Sequence, residues 1–485
     1  MTLWHIIGVV LAAILGFSYA TNPFNRFTIV RRSYRVAMTD NVMRVIDENH
    51  KLVVSRGRIE KILAIINNGV YIVWSRWHTR PTSDGQTIEE IIDDIYRLRF
   101  NPNKLLLTSG DHFSSLFVRN LGVFYYPVLD THLPSSEERW QARQITYLQT
   151  LAYALGVFAK ADTLTTTIVP TGRYRATCVN FHAYPSDTLY GMLYALSALL
   201  GKQKARPYVY GAPVHPHDTI DAATALYETY SDSLRSHYNN YRAMAFDESS
   251  GLINTSVKMS GAKDITMRES AFYDNVIFWK TTELAMTLGL IDHDGTFLDT
   301  LKMRIIDAFW LEDEGYFLED LSTEGVNKKY YSSDWLIVLA TGFISPSHQD
   351  ERTYFERSCA YIKSTNIARP FAIKYQQDTR AHRQFPIVRL AVASYGGDSI
   401  WSFWGMEYIK TNLALYRETG ENSYLVEADY HIDAYKEKML QYGGYPETYD
   451  AKGNLLETPF YRSIIQTGWV IGFEQVMAIR DNISA

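Results

Sequence analysis

Apolar residues recur at three- and four-residue steps along most of this 485-residue chain, and that period commits it to helices. Runs with this spacing are Ile88 to Leu98, Glu137 to Phe158, Ser186 to Leu200, Ile220 to Tyr238, Ala271 to Leu288, Leu298 to Phe309, Glu351 to Lys363, Ile400 to Glu418 and Tyr424 to Leu440. With weaker segments in Thr39 to Arg80 and Asp334 to Gly342, the number is roughly a dozen. Ser136 and Ser186-Asp187 stand where N-caps belong, and Gly201, Gly289 and Gly420 stand where helices end. Strands are hard to find. No low-complexity linker or charge block divides the chain, so the expected fold class is all-α, one large helical unit. Helices in this number without a sequence repeat fit six nested hairpins closed into a toroid. A solenoid of helix pairs competes, but it would show a repeat period.

Charge narrows the partners. A net charge of -5 and a pI near 6.2 lack the basic footprint that nucleic acid requires. Aromatic residues make up 14%, with 35 Tyr, a composition that suits flat, hydroxyl-bearing sugar surfaces as well as helix interfaces. Cys178 and Cys359 show no metal-type spacing, and no cofactor or metal is implied. At the N-terminus, Leu3 to Ala20 is mostly apolar and free of Lys, Arg, Asp and Glu, and Arg26, Arg31, Arg32 and Arg35 follow it. This asymmetry favours residues 1–22 as a single membrane anchor with the body on the cytoplasmic side. Ser18-Tyr19-Ala20 keeps a cleaved signal and secretion as the alternative. Residues 23–100 then form a lead-in with the first helices, and 101–485 the main domain.

The stretch richest in chemistry is Gly443-Gly444-Tyr445-Pro446-Glu447-Thr448-Tyr449-Asp450, followed by Gly453-Asn454 and by Gln466-Thr467-Gly468-Trp469. Two glycines and a proline keep it out of regular structure, so Glu447 sits on a loop between the helix ending near Leu440 and one starting near Tyr461. A carboxylate on such a loop among tyrosines is a general-base candidate. The Glu-x-Tyr-Asp element, the Gly-Asn turn and the Thr-Gly-Trp helix start resemble the final barrel loop of the six-hairpin (α/α)6 glycosidases, the group of trehalases, amylo-1,6-glucosidases and processing α-glucosidases. The resemblance implies that Glu447 is the catalytic base, with Tyr449 and Trp469 against substrate.

Other loops extend the resemblance from about Leu105 to Phe473. Phe117-Val118-Arg119-Asn120 resembles the Arg-Asp element that holds the non-reducing sugar, with Asn120 in the Asp position and Asp111 able to supply the missing charge. Arg119 is otherwise a helix-surface cation. Tyr184-Pro185-Ser186-Asp187-Thr188 is similar to the Pro-Asp-x-Thr helix start of amylo-glucosidases, and Asp187 reads as a cap. His215-Pro216-His217-Asp218 reads as a capped loop, not a metal cluster. Where the family carries its acid, this chain has Ser260. Asp264 is the nearest carboxyl, Glu269 is second choice, and Asp274 is expected to face the helix pack. Lys263 beside Asp264 would depress it, against an acid's need. Trp310 lies in a turn similar to the family's Trp-rich one, and Asp398 and Trp401 in a loop resembling its Arg-Gly-x-x-Trp element.

The expected activity is glycoside hydrolysis with inversion, on an α-linked glucoside or related oligosaccharide. Asp264 would protonate the leaving oxygen and Glu447 activate water. A catalytically inactive glycan-binding or scaffold protein on the same fold is the alternative, kept open by Asn120 and Ser260. A polysaccharide lyase is third. The expected partners are a carbohydrate substrate and, through the N-terminal segment, a membrane.

Overall fold

The computed structural model describes residues 51–55, 57–78, 83–100, 105–106, 115–130, 133, 136–172, 175–182, 184–202 and 217–484. The first of them form strand β1 (Val53–Ser55) and helices α1 (Arg58–His78) and α2 (Ile88–Arg99). Strand β2 (Leu116–Phe117) leads into 3-10 turns at Val118–Leu121 and Tyr126–Leu129, and helix α3 (Glu137–Phe158) follows. Next come β3 (Thr167–Gly172), β4 (Arg175–Val179), β5 (Tyr184–Pro185), α4 (Thr188–Leu199) and α5 (His217–Ala245). Three short strands, β6 (Phe246–Asp247), β7 (Leu252–Ile253) and β8 (Met259–Ser260), precede α6 (Phe272–Thr287) and α7 (Gly295–Phe309). The hairpin of β9 (Trp310–Leu311) and β10 (Tyr316–Phe317) is followed by α8 (Thr323–Lys328), α9 (Ile337–Thr341), α10 (Gln349–Ser364) and α11 (Pro386–Val392). The chain continues through β11 (Ile400–Trp401), α12 (Ser402–Thr419), α13 (Asn422–Tyr442), β12 (Thr448–Tyr449) and α14 (Val470–Ser484).

Local signals set many of the helix ends. The Ser136 hydroxyl accepts from the Arg139 amide at the start of α3, and a capping box of Thr87 and Glu90 opens α2. Gly420 ends α12 and Gly443 ends α13 at φ 70° and 57°, which a side chain would resist.

The inner elements close a ring. The 3-10 turns of 118–129 pack on α4, α4 on α6, α6 on α9, α9 on α12, α12 on α14, and α14 returns to the turn at Tyr126–Leu129. Outside it, α3 and α5 lie on α4, α7 on α6, and α10 and α13 on α12. Inner helices are buried on nearly all sides, as α4 is along its whole length, so they lack the polar stripe of a surface helix. One contiguous apolar core runs from Leu52 to Val476.

Three expectations change. Strands are not confined to loops: β1, β4, β3 and β2 form a four-stranded sheet in that order, with β1 parallel to β4 and the other pairs antiparallel. The β-branched run Thr165 to Val169 favours an extended chain, and the all-α reading missed it. The last helix starts at Val470 and not near Tyr461, because the intervening chain is spent on bridges such as Tyr445 with Gln466 and Glu457 with Arg462. The membrane assignment is corrected as well. Among the described residues no helix is long and apolar enough to cross a membrane, and residues 1–22, which prompted the expected span, lie outside them. The membrane-anchored localisation is not retained.

Candidate active site

Glu447 is held from both its backbone and its side chain. Its carbonyl accepts the Ser402 amide and the Ser402 hydroxyl, each at 3.0 Å, and its amide donates to Ile464 O at 2.9 Å. Pairing of β11 with β12 fixes the same junction, setting Trp401 opposite Thr448. The loop carboxylate is therefore tied to the first turn of inner helix α12. It is buried, and two phenols reach it: the Tyr395 hydroxyl donates to Oε1 at 2.9 Å and the Tyr461 hydroxyl to Oε2 at 3.4 Å. Burial, with the Glu447 charge second, pushes both phenols well above their ordinary range, so they stay protonated donors.

Aromatic rings wall this junction. Trp401 Nε1 donates to Tyr395 O at 2.7 Å, which fixes the tyrosine that holds Glu447. The Trp401 ring stacks on Trp469 at 5.9 Å, Trp469 on Phe124 at 4.5 Å, and Phe124 meets Phe403 edge-on at 4.6 Å. Trp469 Nε1 makes no hydrogen bond among the described residues.

The chain beside Asp264 packs near this junction, a Cβ at Gly396 standing 2.9 Å from Ile265 Cδ1. The Asp264 charge, like that of Glu447, acts on the Tyr395 hydroxyl. Arg119 Nη2 donates to Asp264 Oδ2 at 2.7 Å, and Nη1 to Gly261 O at 3.0 Å. Both ion-pair partners are nearly buried. Ser260, in the acid's place by resemblance, spends its hydroxyl on the His182 amide at 3.0 Å and its carbonyl on the Ser186 amide at 2.9 Å. Lys263, which the sequence sets beside Asp264, donates to Glu319 at 2.7 Å. Burial pushes Lys263 down to about 8, with Glu319 opposing.

Beneath these groups lies a buried ionic cluster. Glu319 also accepts from Arg380 at 2.6 Å, Arg383 bonds Asp320, and Arg268 bonds Asp334 at 2.6 Å. Burial alone would raise Glu319, but Lys263, Arg380, Arg383 and Arg268 outweigh it and hold the carboxyl far below its usual range.

The remaining sequence candidates divide. Asn120 is buried beside Arg119 and its amide makes no hydrogen bond among the described residues. Asp398 is half-buried in the loop preceding Trp401, with Oδ1 likewise without a partner. Glu269 points elsewhere, into an ion pair with half-exposed Lys258 at 2.5 Å. Trp310 bonds Glu312, meets Phe317 and Tyr354 edge-on and carries Arg357 on its face. Tyr449 packs among Phe371, Tyr435 and Tyr442. Each of these last three is engaged by partners of its own. Asp111, His215 and Pro216 lie outside the described residues, and α5 opens at His217. Sequence reading missed Tyr395 and Tyr461, which neither motif nor spacing ties to Glu447. It also misread Asp187, which stands at the N-cap of α4 but whose side chain makes no capping bond.

No family model and no curated protein matches the chain. Among solved structures, it is similar to a rhamnosidase from Klebsiella oxytoca with rhamnose bound, at a TM-score of 0.48 and 13% identity, over 82% of this chain and 64% of that one. The chain thus spans less than two thirds of the rhamnosidase. It is similar to cellobiose 2-epimerase from Bacillus thermoamylovorans at a TM-score of 0.46 and 11% identity, over 88% of this chain and 100% of the other. A glycoside hydrolase family 15 glucoamylase from Hypocrea jecorina aligns at 0.45 and 12% identity, over 88% of this chain and 72% of its own.

Proposed function

We propose that the chain is a glycoside hydrolase on an (α/α)6 toroid, working by single displacement on an α-linked glucoside or related oligosaccharide. The observation behind this reading is the buried Glu447 carboxylate oriented by two phenolic donors, in a region whose other carboxylate, Asp264, acts on the same Tyr395. Glu447 takes a proton from water as that water attacks the anomeric carbon. Asp264 gives its proton to the departing glycosidic oxygen. Arg119 and Asn120 hold sugar hydroxyls, and Trp401 and Trp469 supply flat apolar surface.

The test is a panel of chromogenic α- and β-glycosides with wild type and Glu447→Gln, product anomers being read by NMR. Turnover with inverted configuration, lowered at least about 100-fold in Glu447→Gln, is the expected result. Turnover that survives the substitution would sink the assignment. The second reading, an inactive glycan-binding protein, is favoured by Ser260 in the acid's place and by the ion pair that engages Asp264. It predicts glycan binding with no turnover of any glycoside.

A further inference from the structure

Asp187 occupies a cap position and caps nothing. Its Oδ2 accepts the Tyr273 hydroxyl at 3.0 Å, while Oδ1 is fully buried with no hydrogen-bond partner among the described residues. Two close approaches bring it to Arg119. At Gly191 in α4, a Cβ would lie 2.4 Å from Val118 O and 3.1 Å from Arg119 Cα, so only glycine lets that backbone settle one turn above Asp187. At Gly261, whose carbonyl binds Arg119, a Cβ would stand 2.9 Å from Ser186 Oγ, so the loop carrying Asp264 lies directly on the residue before Asp187. The parallel pairing of β5 with β8 holds these two loops together.

Asp264 therefore bonds the Arg119 guanidinium, and Asp187 acts on the same charge. With both carboxyls ionised the group is buried with an excess negative charge. One added proton makes it neutral, which burial favours. We propose that Asp187 and Asp264 hold a single proton between them around Arg119, resting on Asp187 while Arg119 is bonded to Asp264, and moving to Asp264 when a bound sugar draws the guanidinium away.

In that redistribution Asp187 loses its proton and becomes the carboxylate facing Arg119, still accepting from Tyr273. Asp264 gains an O–H, gives that proton to the glycosidic oxygen as the bond to carbon breaks, and returns to a carboxylate, while the proton of the attacking water goes to Glu447. Asp187 is thus a positioning residue for the proton, and Asp264 the group that delivers it. The surroundings agree. Burial, with Asp274 and Asp264 adding to it, pushes the Asp187 carboxyl up to about 7, against the opposing pull of Arg119 and the Tyr273 hydrogen bond. Three further titratable groups face this pair: Asp274, which bonds Ser186 and is itself pushed up by burial against Arg268; His182, which burial pushes down against Asp264; and Tyr241, which donates to Ser186 O at 3.1 Å and stays neutral.

The delivery step rests on the hydrolase reading, whereas the resting place of the proton does not, and the experiment separates them. Carboxyl carbon-13 NMR of the wild-type protein should show one aspartate titrating near 7. A group raised from 3.8 adds stability below its unfolded value that is lost as pH rises through 7, so Asp187→Asn should gain melting temperature relative to wild type between pH 5 and pH 8. In kcat/KM, the alkaline limb should move about one pH unit or more toward acid in Asp187→Asn and return in Asp187→Glu. A merely structural role would lower activity at every pH without moving the limb. No aspartate titrating near 7, together with an unchanged melting gap, overturns the proposal outright. A melting gap that changes while the limb stays fixed overturns the delivery to Asp264. If no glycoside is turned over, the hydrolase reading fails, and the titration alone decides whether Asp187 holds the proton.

Discussion

Tyr395 does two jobs with one residue: its hydroxyl orients Glu447 and its carbonyl anchors the Trp401 indole. Tyr395→Phe removes a donor to a charged group, worth about 1.5–3 kcal/mol, so kcat should fall roughly 10- to 150-fold with little change in KM. Unchanged kcat in steady-state kinetics would take Tyr395 out of the mechanism. Trp401 and Trp404 are both buried, and truncating either to Ala should cost about 3–5 kcal/mol in denaturant unfolding. They differ in what they touch, since Trp404 packs on Tyr273, Tyr375 and Phe403. Assayed well below the melting temperature, Trp401→Ala should therefore lower kcat more than Trp404→Ala, because Trp401 anchors the tyrosine that holds Glu447. Glu447 was legible in the sequence because Gly443, Gly444 and Pro446 leave it nowhere to go but a loop. Its phenolic donors were not, because they arrive from 52 and 14 residues away through the folded loops. Asp187 misled for the opposite reason. Its local context is that of a cap, and burial beside Tyr273 and Arg119 overrides it.

Helices were legible wherever one amphipathic period runs uninterrupted. The run Glu137 to Phe158 matches α3 end to end, and the glycines at 201, 289 and 420 all take positive φ. The four-stranded sheet was not, since β1 and β2 join it across long sequence gaps and the local β3–β4 hairpin has little alternation to expose it. Glycines inside helices separate the two kinds of constraint. At Gly191 the added methyl meets backbone at 2.4 Å, and Gly191→Ala should destabilise by about 1–3 kcal/mol through overpacking. At Gly472 in α14 the nearest atoms are Met406 side-chain carbons at 3.5 Å, ordinary contact, and Gly472→Ala should gain up to about 1 kcal/mol from helix propensity. Urea unfolding of the two variants checks both signs, and equal effects would refute the close approach at Arg119.

At the scale of the whole molecule, buried carboxyls of opposite shift shape stability against pH. Asp187 and Glu474 are both pushed up to about 7 by burial, so the stability they contribute is present at low pH and lost as pH rises through 7. Glu319 is depressed from 4.5 by its cations, so its contribution is present above that value and lost as pH falls. From these groups melting temperature should be highest near about pH 4.5, falling as pH rises from there to 7 and falling again as pH drops below it. A curve that rises steadily through pH 8 would contradict these assignments.

The ring also has a seam. Tyr96 bonds Glu474 across 378 residues, and Gln475 Nε2 reaches Asp130 at 2.8 Å across 345, where α14 meets the turn at Tyr126–Leu129. Contacts so distant along the chain carry a heavy loop-closure cost and form late in folding. Until α14 is in place, the earlier inner helices stand as an open arc in which Phe124 meets Phe403 but lacks the Trp469 ring that covers it. A half-closed ring thus leaves apolar surface open until α14 docks, and chaperones that shield such surface have their work at that seam.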